Sequence, residues 1–190
     1  FGIYALGSTT QESAFRGCSN MDISATDIGH FENVTNFLRA WNGCSSLTSF
    51  PLLNTSSGTN FHEAWAGCNN LTSFTLLDTS SGTSFNYAWQ GCSSLTSFSL
   101  IDTSSGASFY QAWRDCSSLT SFPLLDTSSG TNFGNAWYRC GALSSFPANA
   151  FDTNTATNYQ NAFVATDLTT QSIDNILVSI DTSGTINGTF

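Results

Sequence analysis

Apolar and polar residues in this chain recur on a fixed beat. Trp41, Trp65, Trp89, Trp113 and Trp137 fall 24 residues apart. Each is followed three residues later by Cys44, Cys68, Cys92, Cys116 or Cys140, and three further on by Leu47, Leu71, Leu95, Leu119 or Leu143. Phe15 and Cys18 mark a degenerate unit 26 residues upstream of Trp41 and Cys44. Tyr159, Ala162 and Phe163 mark a later one, with Thr166 in the place of the cysteine. In-phase repetition at this period is the mark of a solenoid, whose single coils cannot bury their own apolar edge and therefore stack.

Two local patterns alternate within a unit. In "FHEAWAGC" the residues Phe61, Ala64, Trp65 and Cys68 stand at i, i+3, i+4 and i+7, which predicts a short helix of two turns. Asn60 and Glu63 form a capping pair at its start. "LTSFTL" predicts a short, bent strand with Leu71, Phe74 and Leu76 inward and Thr72 and Ser73 in solvent. "DTSSGT" is a turn in which Gly82 supplies a positive φ and Asp78 and Ser80 bond nearby backbone. Trp, Cys, Leu and Phe of successive coils are expected to lie on one another in continuous internal ladders.

The end of the chain breaks the beat. "LTTQSIDNILVSI" places Ile173, Ile176, Leu177 and Ile180 on one helical face, with Thr169 as N-cap and a Leu168–Ile173 staple, and predicts a capping helix. "FRGCSNMDISATDIGHFENVTNF" at the front reads as an N-terminal transition, or as a coil whose predecessor has been cut away. The expected division is a degenerate coil over 1–36, an array over 37–166, and a capping helix and tail over 167–190.

Composition narrows the partners. With 40 % apolar and 14 % aromatic residues in 190, the chain can bury a substantial core. Thirteen acidic residues face four arginines and no lysine, and a net charge of −9 disfavours nucleic acid and anionic lipid. No apolar run reaches the ~20 residues of a membrane span, and none at the start resembles a signal peptide. The opening "FGIYALGSTT", without Met, suggests a mature product, an engineered segment or a piece of a longer protein.

The candidate chemistry is mostly structural. The six cysteines occur once per coil on the inward stripe and never as CxxC, which favours buried free thiols over disulfides or a metal site. Asp78, Asp102 and Asp126, flanked by Asn54 and Asp152, form a polar row. One carboxylate per coil suits turn capping better than calcium. His30 and His62 have no triad partner at any spacing, and no serine stands in a G-x-S-x-G or S-x-x-K context. The chain is read as a non-enzyme with no cofactor and no metal. Four Asn-x-Ser/Thr sequons, at Asn33, Asn54, Asn70 and Asn187, are expected by chance in a chain this rich in Asn, Ser and Thr.

"CSSLTSF" (Cys92 to Phe98), "CGALSSFPANAFDTNTATNY" (Cys140 to Tyr159) and "NVTNF" (Asn33 to Phe37) resemble leucine-rich repeats of the BspA-like surface-protein type. The resemblance covers nearly the whole chain. It departs in two respects: the central units are two residues shorter than the 26-residue end spacings, and Gly58, Gly82, Gly106 and Gly130 stand where the family usually has Val. It implies an α/β, right-handed leucine-rich-repeat solenoid of six to seven coils of 24–26 residues. Similar arrays occur in surface proteins of aquatic bacteria and structural proteins of their phages. The implied place is extracellular, on a cell surface or virion, and the implied role is adhesion or ligand binding.

Comparison of coils within the chain separates scaffold from freedom. Trp, Cys, Leu, Phe and "TSSG" barely change, whereas the positions read as outward on the helix do: Leu38, Arg39 and Asn42; His62, Glu63 and Ala66; Asn86, Tyr87 and Gln90; Tyr110, Gln111 and Arg114; Gly134, Asn135 and Tyr138. Tyr and Arg are enriched in binding hot spots, so Tyr87, Tyr110, Arg114, Tyr138 and Arg139 form the candidate ligand-binding patch. The opposite face repeats Thr48, Thr72, Thr96 and Thr120 with Ser49, Ser73, Ser97 and Ser121. That array could hold glycans, carry them, match an ice lattice or pack on its like. Two functions follow: binding of a cell-surface protein or glycan, or a structural segment of a phage tail fibre or self-assembling filament whose partner is another copy of the chain.

Overall fold

The structure, a computed structural model, describes residues 9–21, 31–74 and 76–184. Its coils are stitched by a row of parallel bridges that runs from Thr10 through Asn36, Asn60, Ser84, Ser108 and Asn132 to Asn158, with a further parallel bridge between Ser121 and Ser145 on the opposite edge. The front segment 22–30 with His30, and the sequon at Asn187, lie outside the described residues.

The largest departure from expectation concerns the segment of the Phe61–Cys68 type, which is not helical. The N–H groups of Phe37, Arg39, Trp41 and Gly43 donate to the carbonyls of Asn60, His62, Ala64 and Ala66 one coil on, at 2.7–2.9 Å. The intervening N–H groups of Ala40, Asn42 and Cys44 close tight turns on Phe37, Arg39 and Trp41, three residues back. Every central coil repeats this pattern. Left-handed residues make it possible: Arg39, Glu63, Tyr87, Gln111 and Asn135 have φ of 53–57°, and Gly43, Gly67 and Gly91 have φ of 72–75°.

A helix about 10 Å across cannot fit here, because the tryptophan rings of neighbouring coils stand only 5.3–5.6 Å apart. Two consecutive turns bury their first, fourth, fifth and eighth residues, the same set a helix buries, so the apolar pattern does not distinguish them. The capping pair disappears with the helix. Asn60 Oδ1 accepts from the His62 N–H, while Glu63 reaches across to Arg39 on the preceding coil.

The opposite edge, "LTSF", is extended but thinly bonded. One main-chain bond joins successive coils there, from Thr72 to Thr48, Thr96 to Thr72 and Thr120 to Thr96, at 3.0–3.2 Å. Leu71, Phe74 and Leu77 are buried, whereas Leu76 is 59 % exposed. The inward leucine is therefore the second of the pair, and the expectation for Leu76 is corrected.

The ladders expected of the core are present. Trp65 stacks on Trp41 and Trp89, Phe61 on Phe37 and Phe85, and Phe74 on Phe50 and Phe98, all with ring planes within 15° of parallel. Phe74 meets Trp65 edge to face at 4.8 Å, which locks the two edges of the coil together. Inside the return turn, buried Thr79 Oγ1 donates to the Asp102 carbonyl of the next coil, and Thr55 and Thr103 do likewise to Asp78 and Asp126.

Gly82 is not needed for a positive φ, as expected from the sequence, but for room. A Cβ there would sit 2.5 Å from Phe85 Cζ, and Gly58, Gly106 and Gly130 are equally tight against Phe61, Phe109 and Phe133. The ring of each coil's Phe occupies the space that Val would fill.

Helix α1 (Thr170–Thr182) caps the end, with the Thr169 side chain accepting from the Ser172 N–H as expected. Its buried face is Ser172, Ile176, Ser179 and Ile180. Ile173 and Leu177, assigned inward from the sequence, are 45 % and 53 % exposed, and Leu168 packs on the core while Ile173 faces out. Serines take the inward positions because the hydroxyls of Ser172 and Ser179 accept from the Phe146 and Phe151 N–H groups, satisfying a coil edge that isoleucine would leave unpaired.

Candidate binding surfaces

Three surfaces run the length of the array. The first is the turn edge, where the outward side chains of neighbouring coils meet. Arg39 and Glu63 form a two-pronged ion pair at 2.7 and 2.8 Å, and His62 Nε2 lies 3.1 Å from the same carboxylate. The Arg39 guanidinium bonds hold Glu63 below the usual carboxylate range, and the carboxylate raises Arg39 in turn.

The candidate residues Tyr87, Tyr110, Arg114, Tyr138 and Arg139 fall into two adjoining groups on this edge. Tyr87 meets Tyr110 edge to face at 5.4 Å, with His62 at 5.4 Å on its other side. Tyr138 lies between two guanidinium groups, Arg114 at 5.1 Å and Arg139 at 5.2 Å from its ring centre. Arg114 is further held by Asp115 Oδ2 at 3.1 Å and Gln111 Oε1 at 2.9 Å. Asp115 was not singled out in the sequence reading, and Gln111 was read only as a free outward position, although their spacing from Arg114 is one and three residues. Gln111, Ala66 and Gly134, read as outward, are buried. Gly134 is so close to Tyr110 that a Cβ would stand 3.1 Å from its Cδ2. Burial raises Tyr87, and the neighbouring Tyr110 adds to it.

The second surface is one the sequence reading missed. Leu52, Leu76, Leu100 and Leu124 are 50–61 % exposed and form an apolar row beside the threonine and serine rows. The doublet "LL" or "LI" in four successive coils was the available signal, since neighbouring residues of an extended segment face opposite ways. The third surface is the hydroxyl face. Its threonines point into the scaffold as much as outward: Thr72, Thr96 and Thr120 Oγ1 donate to the carbonyls of Thr48, Thr72 and Thr96.

The cysteine ladder is closed to solvent from its second member on. Cys44, Cys68, Cys92, Cys116 and Cys140 are buried free thiols, and Cys18 is exposed. Cys68, Cys92, Cys116 and Cys140 each donate to the tryptophan carbonyl one coil back at 3.1–3.3 Å. Burial pushes the Cys44 thiol up to about 11 and those of Cys68 and Cys140 up to about 12. The aspartate row caps turns: Asp78 and Asp102 accept from the N–H and hydroxyl of Ser80 and Ser104. The two Ser104 bonds lower Asp102. Among the described residues no three His, Cys, Asp or Glu gather as a metal site, and no helix is long and apolar enough to cross a membrane.

A family model described as BspA type leucine rich repeat region, present in six copies, matches residues 8–140 and 61–184. No curated protein matches the chain in sequence. Among solved structures it is similar to a leucine-rich-repeat protein of T. pallidum, at 18 % identity and a TM-score of 0.42 over 74 % of each chain. With the stacked coils and in-phase ladders on the page, the match over almost its full length settles the family: the chain belongs to the BspA-type leucine-rich-repeat proteins.

Proposed function

We propose that this array is a non-enzymatic binding module that takes a cell-surface protein or glycan on its turn edge, outside the cell. The observation that carries this reading is the ordered group of Tyr138 between Arg114 and Arg139, adjoining the Tyr87–Tyr110 pair. Rings and guanidinium groups already held by neighbours lose little freedom on binding, which raises affinity for a given contact area. Flat phenol rings suit the apolar face of a sugar or an aromatic side chain. The arginines suit a carboxylate, and they are rare cations on a chain of charge −9. The family supports a protein-binding or adhesive role, since its members are typically surface proteins.

The test is a glycan array and a cell-binding assay with Tyr110→Ala and Tyr138→Ala. Loss of about tenfold or more in affinity for each is expected if these rings are hot spots. Binding unchanged by both, yet abolished by Leu76→Ser with Leu100→Ser, would move the site to the leucine row.

A further inference from the structure

The seventh residue of the turn-edge segments, counted from Phe37, Phe61 and their equivalents, changes character along the array. Gly17, Gly43, Gly67 and Gly91 hold a left-handed corner there, with φ of 72–75°. Asp115 and Arg139 keep the same corner, at φ of 61° and 60°, with side chains that this conformation disfavours. Ala165 follows at φ 60° and adds only a methyl group. The two corners that carry charge are the ones beside Tyr138. Asp115 is used within the chain, since its carboxylate holds Arg114 at 3.1 Å. Arg139 is not: among the described residues its guanidinium makes no ion pair and no hydrogen bond, and its one contact of this kind is the Tyr138 ring at 5.2 Å.

The other arginines of the array differ. Arg39 is engaged by Glu63, and Arg114 by Asp115 and Gln111, whereas Arg139 is exposed with its donors free. The local charge favours an anion as well. Segments 108–116, 132–140 and 158–166 set Arg114 and Arg139 against Asp115 alone, a cationic spot on a chain of −9. Acids farther off than the Debye length of about 8 Å are largely screened. Amides gather at the same place: Asn161 Nδ2 donates to Asn135 Oδ1 at 3.5 Å, and Gln160 is exposed next to Asn161. An amide both donates and accepts, as a sugar hydroxyl does.

We propose, on the reading of this edge as the binding face, that Arg139 receives the carboxylate of an acidic sugar, so that the ligand is an acidic oligosaccharide. A planar guanidinium with free parallel donors takes a carboxylate through two bonds at once. Sugar rings lie against Tyr138 and, one coil before, against Tyr110, whose ring is seated over Gly134. Hydroxyl groups exchange hydrogen bonds with Asn135, Gln160 and Asn161. A peptide would be anchored by side chains in a desolvated pocket, yet the single exposed large apolar residue on these three segments, among the described residues, is Val164. The need for the Arg139 side chain also accounts for a strained corner where earlier coils have glycine.

The full chain is titrated calorimetrically with oligogalacturonate and with sialyllactose, each beside its methyl ester, and with a short poly-Glu peptide. At least one acidic sugar should bind about tenfold or more tighter than its ester. Which of the two does so tells a hexuronic acid from a sialic acid. Arg139→Gly installs the residue that holds the same corner at Gly43, Gly67 and Gly91, and five thiols still protected from labelling reagent report that the variant is folded. It should bring the acid form down to the level of its ester, with Arg139→Lys in between, since an ammonium is a point charge without the fork. The proposal is overturned if no acidic sugar binds, if acid and ester bind alike, if Arg139→Gly leaves the preference for the acid in place, or if the peptide binds more tightly than every sugar. Tyr110→Ala and Tyr138→Ala tell the two failures apart. Acid and ester bound alike, and both weakened by these variants, removes the carboxylate and keeps the turn edge, whereas binding indifferent to both variants removes the turn edge itself.

Discussion

The two long edges of the coil are built on opposite terms. On the turn edge four main-chain bonds join each coil to the next, and the outward side chains differ from copy to copy. On the "LTSF" edge one main-chain bond joins the central coils, rising to three only at the last step between Thr120–Phe122 and Ser144–Ser145, and the side chains hardly vary. Where the backbone fixes register by itself, outward side chains are released to vary. Where it does not, the stacked Leu and Phe must hold register, and substitution is costly. The candidate ligand patch lies on the edge that can change without loosening the stack.

Alkali attacks the inner columns of both edges at once and should have the largest effect. A thiol whose folded pKa is raised leaves stability undiminished below its ordinary value of 9.0 and destabilises as pH climbs toward 11 and 12. Urea midpoints should therefore hold steady up to about pH 9 and then fall steeply, and replacing Cys68 and Cys140 by Ala should blunt the fall.

Next comes Phe98→Ala on the thinly bonded edge, which removes a ring touching Trp89, Trp113, Phe74 and Phe122. Equilibrium unfolding should show a loss of about 3–5 kcal/mol. Gly82→Val tests whether the shortened coil excludes the family's usual residue, and a loss of about 1–3 kcal/mol in the same assay is expected from overpacking on Phe85. On the turn edge, Gln90→Ala should change stability by less than about 0.5 kcal/mol, and an effect as large as that of Phe98→Ala would dissolve the contrast between the edges.

The repeat, the stacked ladders, the turn-capping aspartates and the N-cap of α1 were legible in the sequence because each follows from which residues must be buried or satisfied. The helix was misread because Phe61, Ala64, Trp65 and Cys68 are inward in both a helix and a turn ladder. The glycine at Gly43, Gly67 and Gly91, left-handed in every case, was the overlooked sign against a helix. Leu76 and Leu77 could not be told apart by apolarity, since only the phase of the bent strand decides which is covered. The Tyr–Arg group was legible as residue types. Its contacts were not, because Arg114 and Tyr138 become neighbours only once coils rise by a β-strand spacing.

The indole, phenyl and thiol columns have one further consequence, for how such a gene can change. Each ring touches its own counterpart, so inserting a further 24-residue unit in the middle of the array would create no kind of contact that is not already present. Each insertion would lengthen the molecule by about 4.8 Å and add one new set of outward residues. Length and recognition can then evolve by duplication and drift in the middle, while the irregular 26-residue spacings stay outside the duplicated stretch.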